Sequence, residues 1–481
     1  MTLASLIVIP LVGAALCVAA RRSPYAVRTI SLASTLVTLA TTAAVWSVYA
    51  DLGQPIVAGG GTDSPFGFVT LLADGLAIPL VALCAVLSLV AVLAAWGSER
   101  EPTHIALLLT LEAALMMVFL AADLVLFYVA WEAVLIPMFF LIGGWGHEGR
   151  RRAAMKFFLY TFAGSALMLV GLILLARAAG GETSMNDIVV LLTAGSQRAV
   201  FWLLAAGLMV KVPVWPLHTW LPDAHVEAPT SGSIMLAGVL LKMGGYGMLR
   251  LLTRYTPAAL DEAGPVLAAL GVVGIAYGAA MALGQSDLKR LVAYSSVSHM
   301  GFVVLGIATG TAMGYEGAVL AMVSHGLVAA ALFFLVGAVY DRAHTREMSR
   351  LGPLGATLPR WSGAFVFCAL ASLGLPGLSG FPGEFAVVLS ALPVLGGWIA
   401  VVGLGILLAG AYNLRAVGAV VYGGERPADA TVRWPDLGAR EIVVLAILCA
   451  GIVALGLWPR LIGDLASGTL EALAAATGAV R

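Results

Sequence analysis

Lys211-Val-Pro-Val-Trp-Pro-Leu-His-Thr-Trp-Leu-Pro-Asp-Ala-His225 places a lysine deep in an apolar segment and interrupts the helix directly after it with Pro213 and Pro216. Proline removes a backbone donor and clashes with the preceding turn. In hydrocarbon such a break persists only where protein or a water-filled cavity satisfies the freed groups. A charge beside broken backbone at that depth reads as an ion or proton site.

The surrounding composition sets the medium. Of 481 residues, 61% are hydrophobic and only 11% charged, whereas a soluble globular chain carries about 25% charged residues. Scanning for runs of about 20 apolar residues predicts an all-α integral membrane protein. Its fourteen spans fall near 2–20, 29–50, 75–97, 104–122, 124–145, 154–176, 199–221, 229–252, 264–284, 288–309, 312–340, 362–393, 395–422 and 441–459. The first is kept as a span rather than a cleaved signal, because no basic stretch precedes its apolar run.

No linker separates domains, so residues 1–481 form one polytopic domain. The longest polar stretches, about 51–74 and 423–440, join spans, and the first reads as a turn or short hairpin around Gly59, Gly60, Gly61 and Pro65.

A second broken segment, Gly374-Leu-Pro-Gly-Leu-Ser-Gly-Phe-Pro-Gly-Glu384, lies in span twelve, five spans after the first. An odd offset inverts topology, so 104–252 and 264–422 are candidate inverted repeats of five helices, each with one broken helix. The plainer alternative is two proline kinks in a large bundle.

Net charge is zero, which gives nucleic acid no electrostatic footprint. Seventeen of the 26 basic residues collect on one side of the spans. Only Arg177, Arg198, Arg250, Arg254, Arg460 and Arg481 collect on the other. The bias puts the basic loops in the cytoplasm and both termini outside an inner (cytoplasmic) membrane. The four cysteines, Cys17, Cys84, Cys368 and Cys449, stand singly in apolar segments and offer no evident ligand set for zinc or an iron–sulfur cluster. No nucleotide-binding glycine motif is present.

Glu112, Glu132, Lys211, Lys242, His299 and His325 each fall within about three residues of the centre of a span, hence about 5 Å from the midplane. Glu384 lies beside the break in span twelve. One charge at that depth costs at least about 2.5–3.5 kcal/mol. A carboxylate near a buried ammonium keeps it charged, so parting Glu132 from Lys211 would release a proton, while histidines relay protons near neutrality. The bland readings are a structural ion pair for Glu132, Lys211 and Lys242, and helix-to-helix hydrogen bonds for the histidines. His218, Asp223 and His225 border span seven as an entry vestibule or simply as water-facing groups. Asp123 and Arg415 read as interfacial or snorkelling residues.

Four motifs carry a resemblance: Trp131-Glu-Ala-Val-Leu-Ile-Pro-Met138, the Lys211–His225 stretch, Ala228-Pro-Thr-Ser-Gly-Ser233, and Asp287-Leu-Lys-Arg-Leu-Val-Ala-Tyr-Ser-Ser-Val-Ser-His-Met-Gly-Phe302. Together they resemble the antiporter-like membrane subunits of respiratory complex I, from about residue 70 to 460. Gly383-Glu384-Phe385 resembles the M branch, since the L and N branches and the related Mrp antiporters typically carry lysine there. The chain also ends about 20 residues after span fourteen, without the long lateral helix of the L branch.

The resemblance implies a non-redox subunit of proton-translocating NADH:quinone oxidoreductase, with neighbouring antiporter-like subunits and the lipid bilayer as partners. It implies that Glu132 and Lys211 act as a control pair, that Lys242, His299 and His325 carry the proton, and that Glu384 passes it outward. Flavin, iron–sulfur clusters and quinone are then expected on partner subunits and no cofactor on this chain. Arg415 sits deeper in span thirteen than in most relatives, on the side of the exit route. Two other classes stand beside this reading: a subunit of a multisubunit cation/proton antiporter, and a membrane scaffold with a frozen ion-pair network.

Overall fold

The computed structural model describes residues 3–59, 69–188, 192–423 and 434–478. The first part runs α1 (Ser5–Ala19), α2 (Pro24–Leu52), β1 (Ile56–Gly59), β2 (Thr70–Ala73), α3 (Ala77–Ala95), α4 (Glu101–Leu120), α5 (Leu124–Ala133), α6 (Leu135–Trp145) and α7 (Arg150–Ala178). α8 (Ala194–Lys211), α9 (Trp220–Glu227) and a continuous helix over Thr230–Tyr255 follow. That helix is assembled from α10 (Thr230–Met235), α11 (Leu241–Gly247) and α12 (Thr253–Tyr255), joined by π turns at Leu236–Leu240 and Met248–Leu252. The remainder is α13 (Pro257–Leu283), α14 (Leu288–Ala308), α15 (Ala312–Ala343), α16 (Met348–Leu351), α17 (Pro359–Ser372), α18 (Gly380–Leu395), α19 (Ile399–Val417), α20 (Ala439–Leu457) and α21 (Arg460–Ala476).

Every sequence-predicted span carries a helix, and among the described residues eleven helical stretches are long and apolar enough to cross a membrane. β1 and β2 pair antiparallel, Ile56 with Ala73 through Gly59 with Thr70. This is the expected hairpin; its turn, with Gly60, Gly61 and Pro65, lies outside the described residues, as do Arg426, Arg433 and Arg481.

Both breaks fall where proline and glycine put them. α8 stops at Lys211 and the helix resumes at Trp220. Between α17 and α18, Gly374 (φ 80°) and Gly377 (φ 92°) occupy left-handed backbone that side chains rarely adopt.

Burial separates inner helices from outer ones. Thr230–Tyr255 and Ala312–Ala343 are enclosed along their apolar windows, while α2, α7, α19 and α20 expose much of theirs. With no water to drive apolar faces together, the inner helices pack through small residues. A Cβ at Gly301 would stand 2.8 Å from the Gly271 carbonyl oxygen, so glycine lets α13 and α14 meet backbone to backbone.

Two features depart from the sequence reading. The apolar scan finds no helix after span fourteen, yet α21 forms there, burying Ile462, Ala466, Leu470, Leu473 and Ala474 along one face against the bundle. Its apolar residues recur at helical spacing rather than as a run. Arg250, assigned to the extracytoplasmic side, is instead buried: its guanidinium donates twice to Asp74, at 2.6 and 2.8 Å, and to the Tyr246 hydroxyl at 3.1 Å. Asp74 also accepts from the Leu76 and Ala77 N–H groups at the start of α3. Burial alone would raise this carboxyl, but Arg250 and the two amides outweigh it and hold it below the usual range.

Candidate functional site

The π turns of the Thr230–Tyr255 helix flank Lys242. A π turn leaves the regular i→i−4 ladder, and such bulges are frequent at functional sites. Here the Lys242 Nζ donates to the Ala237 carbonyl, five residues back, and lies 2.7 Å from His325 Nδ1 on α15. Lys242 is wholly buried and His325 nearly so. An ammonium facing an imidazole at this distance donates to a neutral ring nitrogen.

From His325 the contacts continue. Its ring centroid lies 5.6 Å from that of His299 on α14. A cavity of about 20 Å³, room for one water molecule, is lined by His299, His325, Ser324, Ser372 and Glu384. His325 Nε2 is buried without a protein partner. His299 Nδ1 stands 2.8 Å from Glu384 Oε1, and its Nε2 is 3.2 Å from Ser372 Oγ and 3.3 Å from the Tyr412 hydroxyl. Glu384 sits in the second turn of α18, close behind the glycine break. Lys242, His325, His299 and Glu384 therefore form one row from the π-turned helix to the second broken helix.

Glu132 and Lys211 do not join that row. Lys211 closes α8, is 1% exposed, and its Nζ has no hydrogen-bond partner. It faces the Trp131 ring at 5.4 Å and the Phe157 ring at 5.7 Å. Glu132 follows Trp131 on α5, with Oε1 buried and unpartnered. No ion pair joins the two among the described residues, so the expected control pair is adjacent but open here. The indole and phenyl faces supply part of what the carboxylate would.

The remaining candidates scatter. Glu112 on α4 is fully buried with neither oxygen partnered. His218 packs its ring 5.1 Å from Tyr277. His225 stacks on Phe333 at 4.4 Å with both ring nitrogens unpartnered. Asp223 pairs with Lys156 at 2.6 Å on the rim of a 340 Å³ cavity that Arg152, Glu227 and Arg290 also line. Asp123 caps α5, accepting from the Val125 and Leu126 amides. Arg415 is exposed and donates to the Leu283 and Gln285 carbonyls, closing the C-terminal end of α13. That tie makes it an interfacial residue with no contact to Glu384.

Ser372, Tyr412 and Asn413 are not among the residues that charge and depth single out, although a Tyr-Asn pair inside span thirteen is a polar signal in hydrocarbon. Lys289 is likewise buried and donates to the Ala228 carbonyl at 2.5 Å. With His104, His147, Asp341 and Arg346 it lines a 430 Å³ cavity. Among the described residues no group of three His, Cys, Asp or Glu side chains is placed to hold a metal. Chemically the row offers alternating proton donors and acceptors.

Comparison with known proteins adds a family to this geometry. Residues 121–409 match the family described as NADH:quinone oxidoreductase/Mrp antiporter, TM. The NADH-quinone oxidoreductase subunit M of Rhodobacter capsulatus is 43% identical over 411 residues, 82% of this chain and 79% of that protein. The subunit M of Pseudomonas aeruginosa is 38% identical across 98% of this chain and 97% of its own. Among solved structures, a chain of Thermus thermophilus respiratory complex I with bound NADH superposes with a TM-score of 0.89 at 27% identity, covering 99% of this chain and 100% of that one. A chain of the Mrp complex from Dietzia shares the fold, with a TM-score of 0.84 at 21% identity, covering 99% of this chain and 100% of its own.

Proposed function

The chain belongs to the NADH:quinone oxidoreductase/Mrp antiporter transmembrane family, and from that premise we propose that it is the proton-translocating M-type subunit of an NADH-quinone oxidoreductase. The observation that carries this reading is the row Lys242–His325–His299–Glu384, buried at Lys242 and His325 and ending at a broken helix. Lys242 delivers a proton into the imidazole pair, and Glu384 receives it on the far side. Glu132 and Lys211, open in this structure, supply the coupling. Closing the pair stabilises the Lys211 ammonium, and opening it leaves a charge that is cheaper to discharge than to keep. Electron transfer takes place on partner subunits, which carry flavin, iron–sulfur clusters and quinone, while this chain binds none of them.

The chain's membrane is the inner (cytoplasmic) one, with both termini outside, on the strength of the basic-residue bias. Residues 104–252 and 264–422 are the two inverted repeats; a broken helix in each, α8/α9 and α17/α18, supports that division. Asp223, on the rim of the 340 Å³ cavity, marks the intake side.

The test is replacement of Glu132 or Lys211 by alanine in the assembled complex. Each should abolish proton pumping and slow coupled quinone reduction while NADH oxidation by an artificial acceptor stays intact. Normal pumping in both variants refutes the reading. The family's second branch, cation/proton antiport without a redox partner, is disfavoured by Glu384 in its Gly-Glu-Phe setting. Purification of the chain without flavin or iron–sulfur proteins would favour it instead.

A further inference from the structure

His299 is held at both nitrogens, and the partners on its two sides differ in kind. On one side Glu384 Oε1 lies 2.8 Å from Nδ1. An ionised carboxylate only accepts, so Nδ1 carries the hydrogen. On the other, Ser372 Oγ and the Tyr412 hydroxyl approach Nε2 at 3.2 and 3.3 Å. A hydroxyl can donate or accept.

Asn413 decides which. Its Nδ2 donates to the Ala409 carbonyl at 3.0 Å, and a carbonyl only accepts, so the amide nitrogen must lie on that side. The second Nδ2 hydrogen then reaches Ser372 Oγ at 3.5 Å. Ser372 accepts from Asn413 and keeps its own hydrogen for His299. The bonds run in one sense, Asn413 to Ser372 to His299 Nε2, then His299 Nδ1 to Glu384. Asn413 and Tyr412 are buried on α19 and Ser372 on α17, so this sense is imposed by helices other than the one bearing the histidine.

We propose that Ser372, oriented by Asn413, together with Tyr412 turns donors toward Nε2 of the tautomer that Glu384 fixes and thereby sets the direction of the proton step at His299: in at Nε2, out at Nδ1 to Glu384. This rests on the reading of the chain as a proton-translocating subunit. The step balances without any further reactant. A proton from the small cavity, which Ser372 lines, reaches the Ser372 oxygen as the serine's own hydrogen passes to Nε2. The Nδ1 hydrogen moves to Glu384 Oε1, and His299 is left neutral with its hydrogen on Nε2. The starting sense returns when the two hydroxyls rotate back and the Nε2 hydrogen is exchanged to Nδ1 through a water in the small cavity that His299 lines. If the hydroxyls are removed, Glu384 still holds the hydrogen on Nδ1, but no donor faces Nε2 and the inward proton step loses its entry. In this scheme Ser372 relays the proton, and Tyr412 and Asn413 are positioning residues. The groups facing His299 are His325 from α15, Glu384 from α18, Ser372 from α17 and Tyr412 from α19.

The experiment uses the whole complex in proteoliposomes with Ser372→Ala, Ser372→Thr, Tyr412→Phe and the double variant Ser372→Ala/Tyr412→Phe, beside Glu384→Gln. NADH oxidation by an artificial acceptor checks assembly. A positioned proton-transfer group contributes about 10²–10⁴-fold. The double variant should therefore lose about tenfold or more of its pumping, with a larger solvent deuterium isotope effect than the parent, and Ser372→Thr should retain both parental values. A merely structural role for the hydroxyls would leave the isotope effect unmoved. If Glu384→Gln loses pumping while the double variant pumps at the parental rate, the proposal falls and the proton-translocating reading stands. If Glu384→Gln also pumps normally, that reading falls first. A double variant that fails to assemble hands the decision to Tyr412→Phe, which keeps the ring. Parental pumping and isotope effect there, together with the same in Ser372→Ala, would overturn the proposal.

Discussion

Lys242 Nζ lies 2.7 Å from His325 Nδ1, with both side chains shut away from solvent and, among the described residues, neither ion-paired to a carboxylate. The pair holds its exchangeable proton between two nitrogen bases, so the proton can pass from lysine to imidazole with little change in the distribution of heavy atoms. A buried ammonium with only neutral partners is an expensive arrangement for a scaffold and a serviceable one for a carrier that must load and unload.

Replacing Lys242 by alanine removes the first member of the row and leaves His325 without its partner. Proton pumping should fall by about 10²-fold or more, while artificial-acceptor NADH oxidation persists. Pumping at the parental rate in an assembled Lys242→Ala complex would identify the row as structural.

The Asp74–Arg250 pair ties the start of α3 to the end of the Lys242 helix. Asp74→Ala leaves a buried guanidinium uncompensated and should destabilise the fold by about 3–5 kcal/mol. The double variant Asp74→Leu/Arg250→Met should recover the part of that loss that comes from the uncompensated guanidinium, while the Leu76 and Ala77 amides still lack the Asp74 acceptor. Thermal unfolding of the purified complex measures both, and equal losses in single and double variants would contradict the argument.

Gly244 is where the Lys242 helix touches α8. A Cβ there would stand 2.5 Å from Val212 Cγ2 and 2.8 Å from the Leu208 carbonyl oxygen, and the backbone cannot yield as a side chain can. Gly244→Ala should cost about 1–3 kcal/mol of overpacking and push Lys242 away from Lys211. Pumping should fall more than artificial-acceptor oxidation does. An alanine variant with unchanged pumping would show that the spacing of the two lysines is not critical.

His147, in the loop between α6 and α7, is pulled down to about 4 by burial and then by the positive charges of Lys289 and Arg346. The unfolded chain, with an ordinary histidine near 6.5, takes up this proton first as pH falls. Stability is therefore lost as pH drops below about 6.5, and the loss levels off below about 4. In His147→Phe the ring contact with Tyr340, 4.9 Å away, is kept and this part of the pH dependence should vanish. Melting temperatures at pH 7.5 and 5 in parent and variant provide the check.

Much of the molecule is determined by sequence alone because the rules involved are local. Apolar runs of membrane length fix the spans, and proline and glycine fix the two breaks at Pro213–Pro216 and Gly374–Gly377, since backbone capacity depends on the residue itself. The cost of a charge in hydrocarbon singles out Lys211, Lys242, His299, His325 and Glu384 without any coordinates. Which of them meet was decided by the tertiary structure. Inner helices such as Ala312–Ala343 are apolar all round and carry no stripe that sets their rotation, so the approach of His325 to Lys242 and of His299 to Glu384 is a product of packing. The same holds for the π turns that flank Lys242, for Ser372 and Tyr412 converging on one imidazole nitrogen from two helices, and for Arg250 turning inward to Asp74. Glu132 and Lys211 mark the boundary between the two kinds of knowledge: their chemistry is written in the chain, and whether the pair is open or closed depends on how α5 and α8 lie against each other.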